Sequence, residues 1–253
     1  MVKSQLNNIE PVKYYNEHFR ELHDNEAEEL RWAMIEGAFR SCYHNSLPQN
    51  LTILDFGCSS GWLSKKLSSL GKVTGIDFSE KSIEEARKQY PDIDFRTMDI
   101  NSSEIKDLGH ASFDLIVSSE VMEHVRDHKL FINQVSLLLK NDGILLLTTP
   151  NGKYYNLYFN KSKEVFKQPI ENWISSNDLK TLLKKQFTFV LLKKFYVNWI
   201  YSSRNSVLLK ILANNYLRLI LKKMGLFESY LKLLEYLGLG LYLIVIAKKQ
   251  TGI

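Results

Sequence analysis

Cysteine is scarce in this chain of 253 residues: there are two, Cys42 and Cys58, far apart and without metal-ligand spacing. Cys58 lies inside a glycine turn, so a reduced, intracellular and cytoplasmic protein is expected. The first ten residues lack the apolar core of a secretory signal. Long apolar runs are missing too: the longest uncharged apolar stretch, residues 236–247, falls well short of the roughly 20 residues a spanning helix needs. Histidine is absent after residue 150, and acids become rare there. What is present is a composition of 45% hydrophobic and 24% charged residues, which suits one medium domain with a full core and an added lobe.

The charge is divided unevenly. Residues 1–150 hold 16 Lys+Arg against 23 Asp+Glu, whereas residues 151–253 hold 17 against 5. A basic second half suits an anionic substrate, a phospholipid surface or nucleic acid, and it equally suits a solvated lysine-rich face.

The most informative stretch is residues 51–61, LTILDFGCSSG, in which a buried strand (Leu51, Ile53, Leu54) runs into an acid and a glycine turn and then a helix over 62–70. Such a turn places backbone N–H groups at the carboxyl edge of a parallel sheet, where ligands bind in open α/β folds, and those groups are expected to be unpaired. A dinucleotide site reads G-x-G-x-x-G so that backbone can approach a pyrophosphate. Here Asp55-x-Gly57-x-Ser59-x-Gly61 puts an anion where phosphate would be repelled, which argues for a cationic or zwitterionic ligand. The stretch resembles the first motif of the class I S-adenosylmethionine-dependent methyltransferases, D-x-G-x-G-x-G, with Ser59 at the middle glycine. That resemblance implies S-adenosyl-L-methionine as cofactor, its amino acid part held by Asp55, Gly57, Cys58, Ser59 and Gly61.

Two further acids follow at equal spacing. Residues 72–79, KVTGIDFS, form a short strand ending in Asp77, 22 residues beyond Asp55, where a carboxylate accepts from both ribose hydroxyls in dinucleotide folds. Ser79 is placed to cap a helix over 79–89 that turns Ile83 and Ala86 inward. A third strand, 93–96, leads to Asp99. The family resemblance implies that Asp77 and Phe78 border the ribose, that Asp99 contacts the adenine amino group, and that the N–H of Ile100 reads a ring nitrogen.

Residues 112–125, SFDLIVSSEVMEHV, resemble the fourth-strand motif of one branch of the same family, similar to ubiquinone-pathway O-methyltransferases. The strand over 113–117 would deliver Ser118, Ser119 and Glu120 beside the sulfonium end of the cofactor. A helix beginning within 120–124 would put Glu120, Glu123 and His124 on one face by their i, i+3, i+4 spacing. Similar E-x-x-E-H segments ligate divalent metal in some relatives, but the RNA-modifying ones add a histidine after the fifth strand that this chain lacks. No metal is expected. His124 suits a general base for a hydroxyl acceptor, and suits equally well a histidine that holds the helix to the sheet.

The remaining elements complete the pattern. A helix is expected over 12–45, with Tyr14, Tyr15, Phe19, Leu22, Leu30, Ala33, Met34 and Ala38 on its apolar face. Residues 1–49 are expected to lie over the cofactor site. A helix over 130–139, a turn at 141–143 and a strand over 144–150 come next, and residues 151–160, rich in tyrosine, suit a substrate wall. Then come a helix over 177–186 capped by Ser175 or Ser176, a sixth strand over 187–199 interrupted at Lys193 and Lys194, and a seventh over 241–247. The seventh leaves 204–237 as a basic amphipathic helical insertion suited to packing on the body, to a homodimer or to peripheral membrane contact. The fold class implied for 50–253 is a Rossmann-like, doubly wound seven-stranded sheet of order 3-2-1-4-5-7-6 with the last strand antiparallel.

The chemistry implied is methyl transfer to a small-molecule acceptor, first of all O-methylation of a sugar or secondary metabolite. A polyprenyl quinone or other lipid acceptor at a membrane surface is the enzymic alternative, and a cofactor-binding scaffold subunit the non-catalytic one. No recognisable RNA-binding module is present, so nucleic acid is not the expected partner.

Overall fold

The computed structural model describes residues 25–43, 48–99, 103–153, 170–195 and 242–251, with 217, 220–221, 223–226, 229–230 and 233 from the segment before the last strand. Seven strands form one sheet: β1 (Leu51–Phe56), β2 (Gly71–Asp77), β3 (Asp94–Thr97), β4 (Phe113–Ser119), β5 (Leu139–Pro150), β6 (Phe187–Phe195) and β7 (Tyr242–Lys249). Their order is β3-β2-β1-β4-β5-β7-β6, with β7 antiparallel to both neighbours and the other pairs parallel. The sheet is therefore the one expected from the sequence.

Alternation along the strands explains why helices cover both faces. Ile53, Val73, Leu115, Val117, Leu146, Ile244 and Ile246 face one side with Ile35, Ala38 and Phe39 of α1 (Asn25–Cys42) and Leu63 and Leu67 of α2 (Trp62–Leu67). Leu54, Ile116, Leu145, Leu147, Leu243 and Val245 face the other. They pack there on Phe131, Ile132, Val135 and Leu138 of α4 (His128–Leu138) and on Leu179 and Leu183 of α5 (Ser176–Leu183). Phe56 meets Phe131 edge to face, with ring centroids 5.3 Å apart. A third, smaller cluster of Cys58, Ile83, Ala86 and Phe95 seats α3 (Glu80–Gln89) beside β3.

Several local expectations are corrected. The buried stripe of α1 is Ile35, Ala38 and Phe39, while Ala33 is exposed; the side chain of Leu30 and residues Tyr14, Tyr15, Phe19 and Leu22 lie outside the described residues. The turn at 141–143 lies within β5, where Asp142 takes φ 61° and the register with β4 shifts. β6 runs unbroken through Lys193 and Lys194, which pair with Ile244 and Leu243; its irregularity falls between Phe189 and Leu191. Of the two serines proposed as caps, Ser175 caps α5 by accepting from the Asp178 N–H. Ser79 caps α3 as expected, accepting from the Ser82 N–H.

Candidate active site

Every residue singled out for cofactor binding, among those described, sits at the carboxyl end of β1, β2, β3 or β4. Ile100 lies outside the described residues. The turn after β1 is more tightly closed than expected. Instead of offering unpaired donors, the Gly57 and Cys58 N–H groups both donate to the Ile76 carbonyl, at 2.8 and 2.9 Å, and the Gly61 N–H donates to Cys58 O at 2.9 Å. The Ser59 N–H donates to Asp77 Oδ2 at 3.0 Å, and the Ser79 N–H to Asp77 Oδ1 at 2.9 Å. Asp77 thus ties the glycine turn to the start of α3. Because these donors are spent on the protein, the turn is no phosphate nest, which agrees with the acid at its entrance.

Asp55 and Cys58 are themselves enclosed. Asp55 is 1% exposed and accepts from Ser64 Oγ at 2.6 Å; burial first, then the Asp77 charge, push its carboxyl up to about 7, with the Ser64 bond opposing. The Cys58 side chain packs against Ile83, Ala86 and Phe95, so only its main chain borders the turn. Burial also raises the Asp77 carboxyl, opposed by the N–H groups of Ser79, Ser59 and Phe78. Met98 donates its N–H to Asp77 O at 2.8 Å, which draws the chain leading to Asp99 against the end of β2.

The end of β4 adjoins this turn directly: a Cβ placed on Gly57 would lie 2.2 Å from Val121 Cγ2. No α-helix begins within 120–124. Glu120 takes φ 58°, a 3-10 turn spans Met122–His124, and α4 starts at His128 behind its cap Asp127. Glu120, Glu123 and His124 are nevertheless brought together, by the turn rather than by a helix face. Glu120 Oε1 accepts from Thr148 Oγ1 at 2.9 Å, which also pairs with Ser119 Oγ at 2.9 Å. Glu123 Oε2 accepts from Thr149 Oγ1 at 3.1 Å, and Glu123 Oε1 lies 3.8 Å from His124 Nε2. Among the described residues, no group of three or more His, Cys, Asp or Glu is arranged to hold a metal ion.

Sequence reasoning missed Thr148, Thr149 and Ser64, the hydroxyls that hold these carboxyls. The Thr148–Thr149 pair was a usable signal, since two polar residues at the carboxyl end of an apolar strand have to find partners there.

Burial, with Glu123 nearby, pushes Glu120 up to about 8, and burial pushes Glu123 to about 7, while Arg31 of α1 draws both down. Burial pulls the His124 imidazole below its ordinary value, against the Ile170 carbonyl and the charges of Glu120 and Glu171. A carboxyl whose folded pKa exceeds its unfolded value contributes stability that is complete below the unfolded value, here 4.5, and lost as pH rises through about 7 to 8. The melting temperature is therefore expected to fall between about pH 4.5 and pH 8, Glu123 accounting for at most roughly 3 kcal/mol. Glu123→Gln keeps an acceptor for Thr149 and removes the ionisation, so its melting temperature falls less steeply over that range. Parallel slopes for wild type and variant would contradict this assignment.

Comparison with known proteins now bears on the site. A family model described as a methyltransferase domain matches residues 47–198, more than half of the chain and including all four strand ends just described. The chain belongs to the class I S-adenosylmethionine-dependent methyltransferases. It is 33% identical over 171 residues to a ubiquinone biosynthesis O-methyltransferase of Actinobacillus pleuropneumoniae, covering 58% of this chain and 73% of that one. It is 39% identical over 108 residues to a protein of the same name from Pelagibacter ubique, covering 41% and 43%. Several of these curated relatives are matched over only 42–60% of their length. Among solved structures, N-methyltransferase NodS from Bradyrhizobium japonicum in complex with S-adenosyl-L-homocysteine shares the fold at a TM-score of 0.61 and 16% identity, over 95% of this chain and 98% of that one.

S-adenosylmethionine is the cofactor of this methyltransferase. The residues present fit it: the turn is walled by Val121 at Gly57 and by Phe95 at Gly61, its N–H groups are spent on the protein rather than left for a phosphate, and acidic side chains border it.

Proposed function

We propose that this methyltransferase acts on a hydroxyl oxygen of a hydrophobic, quinol-type acceptor. The observation that carries the reading is the abutment of the Gly57 turn on Val121, which sets a cofactor cradle directly beside Ser119, Glu120 and His124. S-adenosylmethionine supplies a methyl group already activated on sulfonium. What remains for the chain is to bind, align and take a proton. Asp77 and Asp99 hold the ribose and adenine, the Asp55 to Gly61 turn holds the amino acid part, and His124, kept neutral by burial, receives the acceptor's proton. The relatives that are ubiquinone biosynthesis O-methyltransferases favour a quinol over the sugar first expected from the sequence.

A lipid acceptor gives the insertion a role. Among the described residues, no helix is long and apolar enough to cross a membrane. At the corner around Gly225 (φ 69°), however, Ile220, Met224, Leu226 and Leu233 are 52%, 62%, 45% and 51% exposed, next to exposed Lys223, while Tyr230 turns inward. Exposed apolar side chains on a basic segment support contact with an anionic membrane surface. Met224→Asp combined with Leu226→Asp is expected to abolish co-flotation with phosphatidylglycerol vesicles while leaving S-adenosylhomocysteine binding intact. A change in particle mass instead would favour a homodimer.

The acceptor is tested by offering short-chain prenylated catechols and hydroxylated sugars with labelled S-adenosylmethionine. Methylation of the catechols alone is expected, and methylation of the sugars alone overturns the proposal. With the preferred acceptor, His124→Gln is expected to lower kcat roughly 100-fold or more with little change in cofactor affinity, as loss of a positioned base does.

A further inference from the structure

Residues 170–174 form a strap across the turn that carries Glu123 and His124. The Asn172 main-chain N–H donates to Glu123 O at 2.7 Å, and its side-chain Nδ2 donates to Val125 O at 3.2 Å and to Arg126 O at 3.4 Å. One residue therefore grips three carbonyls of a four-residue stretch. On its other side the strap is tied to the end of β5, where the Gly152 N–H donates to Ile174 O at 2.8 Å, so close that a Cβ at Gly152 would lie 2.7 Å from Ile174 C. Beyond Ile174 the chain enters the Ser175 cap of α5, so both ends of residues 172–175 are fixed.

Two residues before Asn172, the Ile170 carbonyl oxygen lies 3.0 Å from His124 Nδ1. A carbonyl oxygen only accepts, so Nδ1 has to carry the proton, and in the neutral ring the lone pair falls on Nε2. The Ile170 carbonyl is main chain and cannot turn away on its own. Its place is set by the residues that hold the strap.

We propose that Asn172 is a positioning residue for His124: by pinning the strap to the 123–126 carbonyls it keeps Ile170 O on Nδ1 and fixes the tautomer in which Nε2 is the basic nitrogen. The catalytic consequence rests on the reading of His124 as proton acceptor; the tautomer does not. Asn172→Asp and Asn172→Ala both remove the side-chain donors and keep the main-chain N–H that bonds Glu123 and the Gly152–Ile174 tie, so the strap stays attached while losing its grip on Val125 and Arg126.

The test is nitrogen-15 NMR of the histidine rings in the full chain, with kcat and S-adenosylhomocysteine affinity measured on the same samples. In the wild type, His124 is expected to show a protonated Nδ1 and a lone-pair Nε2. In both variants it shifts towards a tautomer mixture, and kcat falls about tenfold or more, within the roughly 10²–10⁴-fold that a positioned base supplies, while cofactor affinity stays within about twofold. A wild-type spectrum with the proton on Nε2 overturns the proposal, as do variants that keep both the wild-type tautomer and kcat. If the variants shift the tautomer while His124→Gln retains full kcat, the proton-acceptor reading falls and the positioning of the ring stands.

Discussion

Asp77→Ala is expected to weaken S-adenosylhomocysteine binding by about 100-fold or more in calorimetry, the largest effect of any single change at the cofactor side. The carboxylate accepts from the Ser59 N–H at 3.0 Å and from the Ser79 N–H at 2.9 Å, so its loss releases the glycine turn from the start of α3 at the same moment as it removes the proposed ribose partner. Hydrogen bonds to a charged group contribute about 1.5–3 kcal/mol each, and two of them correspond to at least 100-fold in affinity. Asp77→Asn keeps the size and one acceptor oxygen, so one of the two N–H ties survives and the other is lost, and the affinity falls less than in Asp77→Ala, by about tenfold. Unchanged affinity in both variants would mean that the cofactor lies elsewhere.

Gly57→Ala is expected to lower the melting temperature on the order of 10 °C and to abolish activity. Two separate penalties act. The residue sits at φ 79°, where an L side chain costs roughly 1–2 kcal/mol, and its new Cβ would fall 2.2 Å from Val121 Cγ2, an overlap that costs about 1–3 kcal/mol to relieve. Val121→Ala added to Gly57→Ala removes the second penalty and leaves the first, so the double variant should regain part of the stability lost. Absence of any recovery would show that the two turns do not press on each other. Because Val121 follows Glu120, displacement of one turn moves the carboxyls of the other.

The sequence made the sheet legible because its strands alternate or run apolar and β1 to β4 carry an acid or a hydroxyl at or just past their carboxyl ends, at Asp55, Asp77, Asp99 and Ser119. Asp55, Asp77 and Asp99 repeat at 22-residue intervals, which is the length of one strand, one helix and their connections in this fold. Ser79 was recognisable as a cap from its place before Glu80 and Ile83, and the structure bears this out. Other features depend on contacts far apart in sequence and leave no local trace. The pairing of the Gly57 and Cys58 N–H groups with Ile76, and the threonine clamps on Glu120 and Glu123, form only once β2 and β5 are in place. The expected helix over 120–124 failed for a local reason. Glu120 at φ 58° and the cap at Asp127 postpone the helix to His128, a choice that the i, i+3, i+4 spacing of Glu120, Glu123 and His124 conceals. The grip of Asn172 on residues 123–126 spans 46 or more positions and has no periodic signature.

The most direct measurement is a crystal structure of the full chain with S-adenosylhomocysteine. The ribose hydroxyls are expected on Asp77, the adenine against Asp99, and the sulfur turned towards Ser119 and the Glu120–His124 turn. Ligand bound away from the ends of β1 and β2, or a sulfur facing away from His124, would contradict this placement.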